Sequence, residues 1–357
     1  MNAVIRSLTT ANPPLYVTQQ EAYEGYDSCY ELEPEERELY RRILLDGPGR
    51  GRYIGMDSPM DVARADQDDL IGRFERFGRR IAAAAGRDAL RQAGVEPEEV
   101  RALVTNTCTG YICPGMSSYL VEDLQLEESV RVFDLMGMGC GGALPNLDCA
   151  AAALARGGPV LSVAFEVCSA TLFMGAAPDL VVSNCIFADG AAAAVLDRSG
   201  TTGPACLLDS EGGVFPQHRE ALRYRWEDGR LRNSLSARVP AIGARTALQV
   251  AGRLLQRRGL TIADVAHWAV HPGGTVVLDR VADVFGLERG DLQDSYDVFR
   301  EFGNMSSPSV LFVLRRILDL RRPRPGELGM LLSFGAGFTA YATLVAFGNG
   351  CEEGPVG

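Results

Sequence analysis

Apolar positions along the chain recur in two periods, and their order repeats. Residues 86–106, GRDALRQAGVEPEEVRALVTN, and residues 251–271, AGRLLQRRGLTIADVAHWAVH, lie 165 positions apart and read alike. In each, a helix-period stretch ends at a glycine (Gly94, Gly259) suited to a C-terminal cap. A polar turn, a valine (Val100, Val265) and a continuous apolar strand follow, so that Asn106 corresponds to His271. A second pair of apolar strands, 159–166 and 328–334, sits at a similar offset, and each precedes a further strand, 191–196 and 339–347. Helix periodicity predicts helices over 69–93, 245–258 and 308–320, and the Thr18–Glu21 spacing fits a capping box opening another. Near-continuous apolar strands alternating with helices predict mostly parallel sheets buried between helical layers. The expected architecture is therefore a duplicated α/β fold, with halves at 1–200 and 201–357 and the break near Ser199 to Pro204.

Composition narrows what such a fold can do. Of the 357 residues, 46% are hydrophobic, enough for a large core, and no apolar run reaches the roughly 18 residues a membrane span needs. Met1 to Pro13 lacks the basic and long apolar regions of a signal peptide, so a cytoplasmic protein is expected. The net charge of −11 and the scattered basic residues argue against nucleic acid as a partner. All 35 basic residues are arginine; the absence of lysine removes Schiff-base and pyridoxal chemistry and the P-loop lysine. Any substrate phosphate must be held by arginine or by backbone N–H groups. Nine cysteines without a C-x-x-C pair, and only three histidines (218, 267, 271), fit neither a disulfide scaffold nor a zinc cluster. No metal and no cofactor is expected.

Three segments carry more glycine and polar residues than packing requires. In VFDLMGMGCGGALPNLDCAAAALA (132–155), an apolar stretch runs into a glycine-rich turn with Cys140 at its apex and an alanine-rich helix behind it. A cysteine there feels the positive end of the helix dipole, which favours thiolate. The rival reading of such a turn is a phosphate cradle. In AHWAVHPGG (266–274), His271 ends an apolar strand, where taken alone it reads as structural. In FREFGNMSS (299–307), Asn304 taken alone reads as a helix cap. Together, Cys140, His271 and Asn304 supply a nucleophile, a base and an orienting amide.

With those residues in view, the chain resembles type III polyketide synthases, the chalcone synthase-like group. The resemblance rests on GMGCGG at 137–142, HPGG at 271–274, GNMSS at 303–307, SFGAGF at 333–338, TANPPLYVTQQEA at 10–22 and FADGAAAAVL at 187–196, in that family's order over about residues 8–348. It implies a thiolase-like duplicated five-layered αβαβα fold, a homodimer, and acyl-CoA and malonyl-CoA as substrates without a carrier protein. It implies Cys140 as the acyl-carrying nucleophile, paired with His271 as thiolate and imidazolium, with His271 and Asn304 holding the thioester carbonyl of malonyl-CoA. Phe187 matches the family's gatekeeping aromatic. Cys108, Thr109, Glu166, Cys168, Thr171 and Ser306 fall where the family lines its cavity, and Phe334 and Gly335 in its glycine-rich loop. Arg50 and Arg52 lie near its residues for coenzyme A phosphates. Small cysteines at 108 and 168 imply room for an aliphatic starter, hence alkylpyrone or alkylresorcinol products, with malonyl-primed tetrahydroxynaphthalene-type or chalcone-type synthesis as the alternative within the class. A second gatekeeping aromatic, sought in 223–236, has no clear match; Asn233 or Leu235 stands for it. Ketoacyl-carrier-protein synthase III shares the triad, but its histidine is typically followed by Gln-Ala-Asn where this chain has Pro-Gly-Gly. A catalytically inert acyl-CoA-binding protein of the same fold is the reading from a different class.

Overall fold

The computed structural model describes residues 3–198 and 201–348; of the expected break, Ser199 and Gly200 lie outside the described residues. The amino-terminal half opens with β1 (Ala3–Ala11), β2 (Leu15–Thr18), α1 (Gln19–Cys29), α2 (Pro34–Leu44) and β3 (Gly51–Ile54). It continues through α3 (Gln67–Ala93), β4 (Ala102–Thr107), α4 (Met116–Asp123), β5 (Arg131–Met136), α5 (Ala143–Ala153), β6 (Val160–Val167), α6 (Pro178–Ile186) and β7 (Asp189–Arg198). The second half comprises β8 (Ala205–Val214), β9 (Leu222–Glu227), β10 (Arg230–Leu235), α7 (Val239–Arg257), β11 (His267–Val270), α8 (Thr275–Phe285), α9 (Gln293–Phe302), α10 (Ser309–Arg316), β12 (Leu328–Gly335) and β13 (Thr339–Phe347).

Nine of the strands form one sheet in the order β11-β12-β13-β8-β1-β7-β6-β4-β5, and β2–β3 and β9–β10 form two separate two-stranded sheets. Read outward from the central β1–β8 contact, the halves mirror each other: β7 answers β13, β6 answers β12 and β4 answers β11. The repeat seen in the sequence is thus a repeat in the sheet, and β5 is the extra edge strand of the first half. Helix α3 covers one outer face, α7 and α8 the other, while α5 and α10 pack between the halves and touch strands of both. These are the five layers of the thiolase-like fold. The middle layer is dry: Leu144, Leu147, Val310, Leu311 and Val313 of the two central helices meet Ala192, Ala194, Leu331 and Val345 of the sheet in one buried cluster.

Local signals explain the ends of the elements. Thr18 caps α1 in a capping box with Glu21, and Gly94 closes α3 in the left-handed region at φ 61°. The expectation of mostly parallel strands is corrected. In the nine-stranded sheet only β4–β5, β4–β6 and β11–β12 run parallel; its other five pairings are antiparallel. Between β12 and β13 the physical reason is connection length. Three residues join β12 to β13, too few for the crossover that parallel strands require, and α6 leads from β6 back alongside it as β7. Full burial of β6 and β7 on both faces produces the same unbroken apolar runs that parallel strands show.

Candidate active site

Cys140 lies on a tight turn (Gly139–Gly141) between β5 and α5, is 8% exposed, and stands where the two halves meet. The turn is possible because of two glycines. Gly139 adopts φ 54°, and Gly335 of β12 backs directly onto the turn, so that a Cβ there would be pressed into Met138 O and lie 2.9 Å from Cys140 N. His271 follows β11 and is buried, its backbone N–H donating to Leu332 O at 2.8 Å. Phe334 meets its ring edge-on at 6.3 Å and fixes the ring plane. The His271 Nδ1 is buried without a hydrogen-bond partner among the described residues. Asn304 precedes α10: its Oδ1 accepts from Ser306 N at 2.8 Å and its Nδ2 donates to Gly273 O at 3.4 Å. An isolated parallel bridge ties Asn304 to Phe187.

Cys140, His271, Asn304, Phe187 and Phe334 line a single cavity of about 810 Å3, walled otherwise mainly by apolar side chains and glycines. Gly47, Pro48 and Gly49 and the first turns of α7 and α8 frame it. Beside the nucleophile sits a hydrogen-bonded cluster around the fully buried Glu166. Its carboxyl oxygens accept from Thr107 Oγ1 (3.1 Å), Cys108 N (2.9 Å), Cys108 Sγ (3.3 Å), Thr109 Oγ1 (3.0 Å), Ser306 Oγ (3.4 Å) and Ser307 Oγ (2.7 Å). Ser306 holds φ 57°, a conformation costly for a side chain bearing Cβ; its hydroxyl lies between Cys108 Sγ and Glu166, while its backbone N–H donates to Asn304. Asn106, the counterpart of His271 in the repeat, donates to Ser307 Oγ at 2.8 Å and so aims the Ser307 hydroxyl at Glu166.

Electrostatics bear on the expected thiolate–imidazolium pair. Burial pushes the Cys140 thiol up to about 12, the Ser306 hydroxyl only partly opposing it and the Glu166 charge adding to it. Burial likewise pushes the His271 imidazole down to about 3. A dry site disfavours both charges. Glu166 is itself raised by burial against its many donors.

The remaining expected residues divide. Cys168 and Thr171 line a pocket of only about 10 Å3 that Phe187 also lines; Thr171 donates to Cys168 O at 2.9 Å. Phe187 thus stands between this pocket and the large cavity. Arg52 is no surface phosphate ligand: it is 3% exposed, and its guanidinium donates to Phe187 O and to Tyr26 Oη, each at 3.2 Å. Arg50 is exposed, next to the glycines of the cavity rim. Leu235 lines the large cavity, and Asn233 the small pocket. Tyr224 is the aromatic the sequence reading lacked. It lines a second cavity of about 770 Å3 together with Cys108, Tyr111, Trp226 and Leu231, and burial with Cys108, Cys168, Glu166 and Cys140 around it pushes its phenol up. The signal was Asp228-Gly229, both at positive φ, turning two alternating strands into a hairpin. Ser307 was legible only as part of a helix start. Among the described residues, no group of three His, Cys, Asp or Glu side chains could hold a metal.

Comparison with known proteins agrees on the class, an acyltransferase of thiolase-like fold that forms carbon–carbon bonds. Residues 17–205 match the model of FAE1/type III polyketide synthase-like proteins, and residues 209–347 that of the C-terminal domain of chalcone and stilbene synthases. A 3,5-dihydroxyphenylacetyl-CoA synthase of Streptomyces toyocaensis is 34% identical over 81% of this chain and 77% of its own. A 1,3,6,8-tetrahydroxynaphthalene synthase of Streptomyces peucetius is 30% identical over 96% of this chain and 92% of its own. The crystal structure of a brown-algal synthase from Ectocarpus siliculosus superposes with a TM-score of 0.87 at 26% identity, covering 97% of this chain and 98% of that one. The chain belongs to the type III polyketide synthase family.

Proposed function

We propose that the two halves act as one catalytic unit in which Cys140 carries the acyl group while His271 and Asn304 activate malonyl-CoA. The observation that carries this reading is their convergence on one cavity: a buried thiol, an imidazole with an unpartnered nitrogen and a side-chain amide, on a wall otherwise mostly apolar. In the loading step the Cys140 thiol passes its proton to His271 as sulfur attacks the starter thioester, and the departing coenzyme A sulfur takes that proton. Malonyl-CoA then loses CO2, and the electron pair moves into its thioester carbonyl. Donors from His271 and Asn304, fixed beforehand in a dry site, stabilise that oxygen. The enolate carbon attacks the acyl–Cys140 thioester and returns Cys140 as leaving group. The cavity's apolar lining also favours decarboxylation by leaving the carboxylate poorly solvated. No cofactor enters this scheme.

We further propose a compact starter, malonyl-CoA itself included, and an aromatic product. The space sought for an aliphatic chain at Cys168 is filled. A second cavity, lined by Cys108, carries Tyr224, Trp226, Arg219, Glu220 and Arg223 on its wall. Such a wall suits an oxygen-rich polyketide better than an alkyl tail, and aromatic-product synthases stand among the relatives. A homodimer is supported by β5, an edge strand with Val132, Phe133 and Met136 exposed, since edges of this kind are normally covered. Soluble action fits the absence, among the described residues, of any helix long and apolar enough to cross a membrane. The test is release of labelled CO2 from malonyl-CoA, with products followed by mass spectrometry. Condensation products should vanish in Cys140→Ala, and CO2 release should fall at least about 100-fold in Asn304→Ala, as when an oxyanion donor is removed. Decarboxylation indifferent to Asn304 would contradict the assigned role.

A further inference from the structure

Strand β3 packs along α9, the helix that ends just before Asn304. Arg50 N donates to Arg300 O at 2.8 Å, and the Tyr53 ring stacks on Phe302 with centroids 6.0 Å apart. Between these two contacts Arg52 is buried. Its guanidinium donates from Nη1 to Phe187 O and from Nη2 to Tyr26 Oη, each at 3.2 Å, and the Tyr26 hydroxyl donates onward to Asn184 O at 2.9 Å. Phe187 belongs to the segment that holds Asn304. Asn304 N donates to Ile186 O and Ala188 N donates to Asn304 O, each at 2.8 Å. Gly303, at φ 73°, lets the two segments close. A Cβ there would lie 3.0 Å from Ile186 O and 3.5 Å from Arg52 Cβ.

Arg52 is out of place on packing grounds. A buried guanidinium is normally paired with a carboxylate, yet among the described residues both acceptors it binds are uncharged. An apolar side chain would fill the space without that penalty, and local rules are broken in this way where function needs the group. We propose that Arg52 is a positioning residue: by binding Phe187 O it fixes the Ile186–Ala188 segment, and through that segment the Asn304 amide. This rests on the reading of Asn304 as a donor to the malonyl thioester. The coupling is direct, because hydrogen bonds on both sides of Phe187 join its backbone to that of Asn304. Arg52 also lines the large cavity, so the clamp sits beside the space the substrate would occupy. The role differs from the coenzyme A phosphate contact expected from the place of Arg52 in the sequence, and the two make opposite predictions.

The experiment uses the full-length enzyme with Arg52→Met, Arg52→Lys and Tyr26→Phe. CO2 release is measured from malonyl-CoA and from the N-acetylcysteamine thioester of malonate, which carries no phosphate. In Arg52→Met, kcat is expected to fall about tenfold for both substrates with each KM within about twofold of wild type, the pattern of lost transition-state positioning. Arg52→Lys, a point donor that cannot hold both acceptors, should lose about threefold in kcat, and carries the test alone if Arg52→Met does not fold. Tyr26→Phe removes a buried hydroxyl but leaves the bond to Phe187 O, so its kcat should stay within about twofold of wild type even where its Tm falls. A KM that rises for malonyl-CoA and not for the short thioester would overturn the proposal, since it marks a phosphate ligand. A wild-type kcat in the Arg52 variants would overturn it too, as would an equal fall in Tyr26→Phe, the mark of a structural arginine. Failure of the underlying reading shows elsewhere: CO2 release would then be absent from the wild-type enzyme or unchanged in Asn304→Ala.

Discussion

At Cys140 and His271 two opposed demands meet. The nucleophile must ionise to attack, yet the site that lets a carboxylate decarboxylate is dry, and burial holds Cys140 near 12 and His271 near 3. In the proposed mechanism the thiol is activated by proton transfer to His271 in the course of attack. Alkylation of Cys140 by iodoacetamide should climb with pH from 7 through 10, since only the thiolate reacts. A rate already at its plateau at pH 7 would show a preformed ion pair instead. The same burial gives His271 a signature in stability. An unfolded chain binds a proton there below about 6.5 and the folded one does not, so its contribution is intact above 6.5 and is lost as pH falls toward 3. Relative to wild type, His271→Phe should lose less stability between pH 6.5 and 4; equal losses would contradict the assignment. Gly335 carries a third demand, because its missing Cβ makes room for Met138 O and Cys140 N. Gly335→Ala should cost at least about 2 kcal/mol, as overpacking against backbone does, and sharply reduce acylation of Cys140. An unchanged Tm and acylation rate would remove Gly335 from the account.

Among the elements, the β9–β10 hairpin lines both cavities, and its place in the fold was the least legible in the sequence. Alternation in RYRWE and RLRNSL, with Asp228-Gly229 between, carries the hairpin. Its polar face of arginines looks like surface, and nothing in the pattern says that the opposite face roofs a catalytic cavity. Gly229, at φ 74°, sets the turn. Gly229→Val should lower the Tm and broaden the product spectrum by loosening the hairpin, whereas products unchanged despite a lowered Tm would show that the roof does not shape them. Elements held by local signals were legible: the Thr18 capping box, the Gly94 cap, the repeated helix–strand units and the glycine-rich turn at Cys140. Strand direction was not, because a strand buried on both faces reads the same whichever way it runs. Arg52 illustrates the same limit at a single position, since an arginine near a rim in sequence turns inward onto Phe187 O only in three dimensions. Asn106, by contrast, was marked by its place in the repeat, though its task of aiming Ser307 belongs to the folded cluster.

For the whole molecule, duplication explains the site. Two halves of like topology join through β1 and β8, and the helices between them begin at the nucleophile turn in one half and at Asn304 in the other. Cys140, His271 and Asn304 meet where the two halves join, and Asn106 and His271 occupy the same position of the repeat, Asn106 aiming Ser307 and His271 lining the cavity. The edge strand β5 breaks that symmetry. The central claim is that acyl groups travel on Cys140. Intact-protein mass spectrometry after brief exposure to an acyl-CoA, followed by peptide mapping, tests it most directly. A single acyl adduct on the peptide bearing Cys140, lost in Cys140→Ala and in Gly335→Ala strongly reduced, is the predicted result. An adduct that maps to Cys108 or Cys168, or one that persists in Cys140→Ala, would contradict it.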